Sequence, residues 1–326
     1  MLGVGNFSGN ITLNLSFSHG TASAHLRITS VNASNPALIS TSESHAIHLY
    51  SNGSANGLGV KIDNIALRKS GNATECNGIH LSSNVTALDT FIVENVSISG
   101  FNHGLITERA GVNTPLISNV SILNSVFYNN TAGGITLGGV VASEISECAT
   151  YNNSFGSAGI TVLDSDQVVI ANCTSNDNKG QGIVIENGAS NVTVSGCSTA
   201  RNFYASLLMI AKYNPSLNNN GSVENVFFSN CTSESDGYGY GFAIVGVHTY
   251  GNASASDVDI SNFHAVSTNI GATYEYFGSN TSVFNALWLV GNYSLTTLNS
   301  TFAVPTANYT SNLKCSSAAA SVCMPY

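Results

Sequence analysis

NVTVSGC, residues 191–197, is one of eight imperfect copies of a single short pattern. The others read NIALRKS (64–70), NVSISGF (95–101), NVSILNS (119–125), SEISEC (143–148), QVVIANC (167–173), NVFFSNC (225–231) and DVDISNF (257–263). Their last residues are Ser70, Phe101, Ser125, Cys148, Cys173, Cys197, Cys231 and Phe263, spaced by 31, 24, 23, 25, 24, 34 and 32 residues. A period of this size marks a solenoid, whose units bury their apolar faces only by stacking on one another.

The columns of the repeat explain why the chain coils. Five positions before the last residue stand Ile65, Val96, Val120, Ser143, Val168, Val192, Val226 and Val258. Three positions before it stand Leu67, Ile98, Ile122, Ile145, Ile170, Val194, Phe228 and Ile260. Apolar residues alternating with polar ones describe a strand with one buried face. The penultimate column is Lys69, Gly100, Asn124, Glu147, Asn172, Gly196, Asn230 and Asn262. Gly and Asn dominate it, and both tolerate a left-handed backbone, so a sharp bend is expected there. About ten residues later a second strand opens on glycine, in GIHL (78–81), GITL (134–137), GITVL (159–163), GIVI (182–185) and GFAIV (241–245). Strand, bend, short strand, turn and third strand make one coil.

These units resemble the coil of the pectate-lyase-like right-handed parallel β-helix superfamily, which includes polysaccharide lyases, polygalacturonases and phage tailspikes. The resemblance covers residues 60–290 and implies an all-β fold, a single right-handed parallel β-helix of about 10–12 coils. Residues 60–298 would form the repeats, 1–59 irregular N-terminal coils or a cap, and 299–326 a C-terminal tail or cap. The resemblance also implies that bend asparagines stack into an internal ladder. Asn124, Asn172, Asn230 and Asn262 match that position, while Lys69 and Glu147 depart from it.

Charge is the second clue. Asp, Glu, Lys and Arg make up 8% of the 326 residues, against roughly 25% in ordinary soluble proteins. Nine Lys and Arg in all exclude electrostatic nucleic-acid binding. No run of apolar residues reaches the 18 or so that a membrane helix needs. The start, MLGVGNFSGN, lacks the basic and apolar regions of a secretory signal. Either such a signal has been removed or export follows another route, such as assembly into a virion.

Asn-x-Ser/Thr acceptor sites sharpen the picture: there are 20, where Asn, Ser and Thr content predicts roughly nine by chance. This excess points to a glycosylated extracellular, cell-surface or virion-surface protein. Asn6, Asn32, Asn52, Asn220, Asn252, Asn280 and Asn308 lie in loop-like or terminal stretches and are the expected carriers. Asn172 and Asn230, at an inward bend, are expected to remain bare.

Cys148, Cys173, Cys197 and Cys231 share one column on successive coils. Their Cα–Cβ vectors would then run parallel, which does not suit the near-perpendicular torsion of a disulfide. A buried stack of free thiols is expected, and a row does not make a tetrahedral metal site. Cys315 and Cys323 are expected to close a loop that pins the tail; Cys76 has no assigned role.

The chemistry is sparser. Polygalacturonase-like members carry Asn-Thr-Asp, Asp-Asp, Gly-His-Gly and Arg-Ile-Lys motifs, and none occurs here. Pectate lyases use a carboxylate cluster for calcium and a basic proton acceptor. The nearest local match is Glu108 and Arg109, Asp164 and Asp166, Glu186 and Lys212. Asp164, Asp166 and Glu186 are the catalytic candidates, because carboxylates one coil apart could act as a glycosidase pair or bind a cation. In a bland surface ladder Glu186 would instead face Lys212. His80, His103, His248 and His264 are scattered singly, without the paired spacing of a metal site. No metal or cofactor is expected. Tyr238, Tyr240, Tyr274, Tyr276 and Trp288 cluster toward the C-terminal coils, where they would bind a protein partner or stack on sugars.

Two readings follow. The favoured one is a non-catalytic structural or attachment component: a virion spike or coat protein, or a cell-surface adhesin or filament subunit. Its partners would be further copies of itself, other surface or virion proteins, or glycans. The alternative is a polysaccharide-active hydrolase or lyase using Asp164, Asp166 and Glu186.

Overall fold

The computed structural model describes residues 59–266, apart from 71–75, 84–88, 110, 112–115, 155–157, 215–217 and 237–244. It also places strand segments at 6–8, 11–14, 25–30, 37–41, 45–51, 287–290, 293–303 and 313–316. All strand pairings are parallel and fall into two sheets, one of 19 strands and one of 11. A representative turn runs from Ile117–Leu123 through a bend to Val126–Tyr128, then across to Ile135–Gly138. The first two strands belong to the larger sheet and the third to the smaller, which takes one strand from each turn. Parallel pairing includes Asn6–Ser8 with Leu38–Ser40 and runs as far as Leu313–Ser316. The chain is therefore a single parallel β-helix.

The interior is a set of apolar columns. On the smaller sheet Ile47, Ile79, Leu105, Ile135, Ile160, Ile183 and Leu207 stand in register and are fully buried. On the larger sheet Val93, Ile122, Ile145, Ile170, Val194, Phe228 and Ile260 do the same. Parallel sheets are stable when such faces are closed from water, and here each turn closes the face of the next.

Six of the expected copies are in register, and two are not. Ser97, Ile98 and Ser99 stand opposite Val126, Phe127 and Tyr128 on the short strand after the bend. Ala66 and Leu67 follow the same register. The strands before the bend in those turns are Gly59–Asp63 and Asp89–Glu94. Residues 64–70 and 95–101 thus sit one strand late. The cause is that both strands start at an Asn and alternate in the same way, so period alone cannot separate them.

The corrected column is Ile65, Val96, Ser125, Cys148, Cys173, Cys197, Cys231 and Phe263. Carbonyls of Val96, Ser125, Cys148, Cys173, Cys197 and Cys231 each accept an N–H from the following turn at 2.9 Å. Ser70 and Phe101 leave the column.

All four cysteines of the column are buried and free, as is Cys76. Each thiol also donates to a carbonyl two residues earlier, at 3.3 Å for Cys148, Cys173 and Cys231 and 3.5 Å for Cys197. The neighbouring thiol and burial push Cys173 and Cys197 up to about 12. The Cys173 thiol, donating toward Cys148, pulls Cys148 below the ordinary thiol range. Only thiolate reacts. We expect the folded protein to resist iodoacetamide at neutral pH, with Cys148 reacting first. After denaturation without reductant all five should be labelled; a bridge found between any two of the four stacked thiols would contradict this packing. Cys315 lies on a strand whose side chains are outside the described residues, as is Cys323.

The internal asparagine ladder exists, but it stands six residues beyond the expected position. Asn124, Asn172 and Asn230 are at the bend, with φ of 47°, 54° and 53°, and their side chains are exposed. Asn262 lies within the unbroken strand Ala255–Val266. The ladder is made by Asn130, Asn153, Asn178, Asn202 and Asp236, all completely buried. Each amide nitrogen donates to the next side-chain oxygen, at 3.0, 2.9, 2.9 and 2.8 Å along the series. The backbone N–H groups of Asn130, Asn153, Asn178 and Asn202 donate to the same oxygens. A bend in the left-handed region throws its side chain outward, whereas the inward residue at the next corner must satisfy the backbone that turns there.

Glycine opens the third strand because the backbone of the next turn and the ladder leave no room for a Cβ. A Cβ at Gly182 would lie 2.6 Å from the Ser206 carbonyl oxygen and 3.0 Å from the Asn202 amide nitrogen.

Candidate functional site

The outer face of the smaller sheet gathers titratable groups that the one-dimensional pattern leaves apart. His45 and His48 lie on strand His45–Ser51, and His80 on Asn77–Ser83, the adjacent strand. Inward Ile47, Leu49, Ile79 and Leu81 anchor these strands, so the alternating His48 and His80 must point out. The two rings stack in register, centroids 4.7 Å apart and 5° from parallel. His45 leans on both, at 4.8 Å from His48 and 4.6 Å from His80. His80 Nδ1 is 3.3 Å from His45 Nε2, and His80 Nε2 is 2.8 Å from Glu108 Oε1. His48 Nε2 meets Ser82 Oγ at 3.3 Å.

Burial, then repulsion from His80 and His48, lowers His45 to about 4, and the same causes lower His48. The hydrogen bond with His80 lowers Glu108. His103, one turn on, is lowered by burial and faces Thr136 Oγ1 at 3.1 Å. The trio places one ring nitrogen from each of His45, His48 and His80 within 4.8 Å of the others, a spacing that could hold a metal ion.

His80 is therefore not an isolated loop histidine. The signal was a repeated tripeptide, Ile-His-Leu at 47–49 and at 79–81, one coil apart. His264 is exposed, and the His248 side chain is outside the described residues.

The expected carboxylates are dispersed. Asp164, in a left-handed turn with φ of 47°, is buried against Arg109, whose Nε lies 2.7 Å from Asp164 Oδ2. The two side chains are 8% and 6% exposed, so this is an interior ion pair. Arg109 reaches it by passing over Gly139, where a Cβ would lie 2.7 Å from the arginine Cγ. Asp166 opens the next strand of the larger sheet and accepts from Ser190 Oγ at 2.7 Å and Asn191 Nδ2 at 2.6 Å. Glu186 lies on the smaller sheet, opposite Leu163 and Ile210, and burial raises its pKa. Asp164 and Asp166 do not share a face with it, and Lys212 stands opposite Tyr250 rather than Glu186.

Among the predicted acceptor sites, Asn220 and Asn252 are exposed. Asn6 is on strand Asn6–Ser8, its side chain not described; Asn32, Asn52, Asn280 and Asn308 lie outside the described residues. So do Tyr238, Tyr240, Tyr274 and Tyr276, while Trp288 is placed on strand Leu287–Val290 without a described side chain. Asn172 and Asn230, expected to be shielded, are exposed because the bend points outward. Among the described residues no helix is long and apolar enough to cross a membrane.

The family model for the right-handed β-helix region matches residues 45–263, and the chain belongs to that family. Several solved structures are similar to this chain. Endo-xylogalacturonan hydrolase from Aspergillus tubingensis matches at 14% identity and TM-score 0.54, over 98% of this chain and 90% of the other. The A-module of a mannuronan C-5 epimerase from Azotobacter vinelandii matches at 12% identity and TM-score 0.46, over 91% and 90%. Tailspike protein 2 of Escherichia coli O157:H7 bacteriophage CAB120 matches at 12% identity and TM-score 0.47, over 92% of this chain but 38% of the tailspike. Comparison with curated protein sequences finds no match.

Proposed function

We propose that this β-helix is an exported, N-glycosylated, non-catalytic structural or attachment component of a virion or cell surface. The observation that carries the non-catalytic reading is the engagement of its carboxylates. Asp164 is neutralised by Arg109 in the interior and Asp166 is held by Ser190 and Asn191. Cleaving a glycosidic bond needs an acid and a base poised on either side of it. Glycosylation is supported by nine acceptor asparagines whose surroundings are described: Asn95, Asn119, Asn129, Asn152, Asn172, Asn191, Asn220, Asn230 and Asn252 are all exposed. Partners of such a rod are further copies of itself, other surface proteins or glycans.

One observation favours the polysaccharide-active alternative: burial raises Glu186, which is how a carboxyl is kept protonated as a general acid. The test is a turnover assay on acidic and neutral polysaccharides, with Glu186→Gln as control, beside glycan mapping of protein from its native source. We expect no cleavage and occupied sites that include Asn172 and Asn230. Cleavage abolished by Glu186→Gln would make the protein an enzyme, and bare acceptor sites would remove the glycoprotein half.

A further inference from the structure

We propose that His45, His48 and His80 form a binding site for a divalent first-row transition metal of the zinc type, pinning two successive turns near the N-terminal end. This goes beyond the surface role proposed above and does not depend on it.

The geometry carries it. Four-coordinate zinc holds imidazole nitrogens at about 2.0–2.1 Å, which sets a ligand-to-ligand edge of about 3.3–3.4 Å. His45 Nε2 and His80 Nδ1 are 3.3 Å apart without any ion between them. All three donor nitrogens fall within 4.8 Å of one another. His48 stacks parallel to His80, so its ring would tilt out of the stack to aim its lone pair at the same ion.

A further observation points to a ligand rather than to packing alone. Glu108 holds His80 Nε2 at 2.8 Å. A carboxylate accepts, so Nε2 carries the proton and, in the neutral ring, the Nδ1 lone pair faces His45. This is the carboxylate–histidine arrangement that orients metal-binding imidazoles. Three imidazoles select zinc, copper, nickel or cobalt over calcium and magnesium, which prefer oxygen. Three protein ligands leave one position for water or for a group on a partner.

Backbone placement explains why the site costs the fold little. His48 and His80 occupy outward positions on strands whose inward residues fill the core, so the ligands are held by rigid elements. His45 comes from the same strand as His48, three residues earlier, at the strand's first residue.

The test uses the full-length, untagged protein after chelator treatment, titrated with Co2+ and then with Zn2+. We expect one Co2+ per chain with the intense visible absorption of a four-coordinate ion, displaced by Zn2+, and a higher thermal midpoint when zinc is bound. His80→Ala should abolish the absorption and His264→Ala should leave it unchanged. Glu108→Gln should weaken binding by about 10–100-fold while keeping the spectral shape, as expected of a positioning residue. Should His80→Ala fail to fold, His48→Asn decides on the same readout. Absence of saturable binding, or a cobalt spectrum that survives loss of His80 or His48, overturns the site.

Discussion

Replacing Asn178 by alanine is expected to destabilise the β-helix by about 3–5 kcal/mol, more than any exposed asparagine. Asn178 is fully buried at the centre of the ladder. Its Oδ1 accepts the Asn153 N–H at 3.1 Å and the Asn153 amide at 2.9 Å. Its Nδ2 donates to Ser175 Oγ at 3.1 Å and Asn202 Oδ1 at 2.9 Å. Alanine would leave the Asn153 backbone N–H buried without an acceptor, reduce the Asn153 amide to its bond with the Phe127 carbonyl and remove a donor from Asn202 Oδ1, and each such buried loss costs about 1–3 kcal/mol. No water can reach the corner to compensate unless the turns separate. The control is Asn172→Gly at the exposed bend, where the left-handed backbone is kept and the change should stay within about 0.5 kcal/mol. Urea denaturation measures both. Because solenoid turns are held mainly by their neighbours, hydrogen exchange should show the loss centred on the turns around residues 153–202. Equal effects at Asn178 and Asn172 would place the ladder at the bend and overturn its assignment to Asn130, Asn153, Asn178, Asn202 and Asp236.

The second large effect concerns Arg109. Removing it by Arg109→Ala strands the Asp164 carboxylate in the interior, a change expected to cost about 3–5 kcal/mol. The value lies well above that of a more exposed pair, Arg201 and Asp177, whose side chains are 52% and 38% exposed. Adding Asp164→Asn to Arg109→Ala should recover much of the loss, since the orphaned charge and not the missing contact dominates. A double-mutant cycle on urea midpoints reads the coupling directly. Additive effects would mean that Asp164 is not neutralised by Arg109. That result would return Asp164 to the candidates for acid–base chemistry and weaken the non-catalytic reading.

Much of the fold was legible in the chain. Alternation at Val168 and Ile170, Val192 and Val194, Val226 and Phe228 named the buried face of the larger sheet correctly. The aligned cysteines named a column that the structure keeps. The bend was placed correctly at Asn124, Asn172 and Asn230, because a left-handed residue has few chemical identities. What that bend does with its side chain was not legible. A sequence column shows that Asn is favoured, and Asn is favoured equally by a left-handed corner facing water and by a buried corner needing amide hydrogen bonds. The two columns lie six residues apart, and only the direction of Cα–Cβ tells them apart.

The candidate site was legible to a smaller degree. Asp164 and Asp166 are two residues apart in sequence, yet a turn lies between the sheets to which they contribute. Asp164 instead finds a partner 55 residues earlier, across an intervening glycine turn. The histidines show the reverse. His45 and His80 are 35 residues apart and meet at hydrogen-bond distance.

The chain by itself determined the parallel coil, its buried alternation and its thiol column, because these follow from a local period repeated on every turn. The tertiary structure alone decided the register of the first copies, the identity of the ladder and the meeting of His45, His48, His80 and Glu108. Those depend on the unequal lengths of the turns at the corrected column, 31 and 29 residues early, 23 to 25 in the middle and 34 and 32 late. Extra residues are absorbed in loops without disturbing the stack, so contacts between turns are set by strand pairing in space and cannot be counted off along the chain.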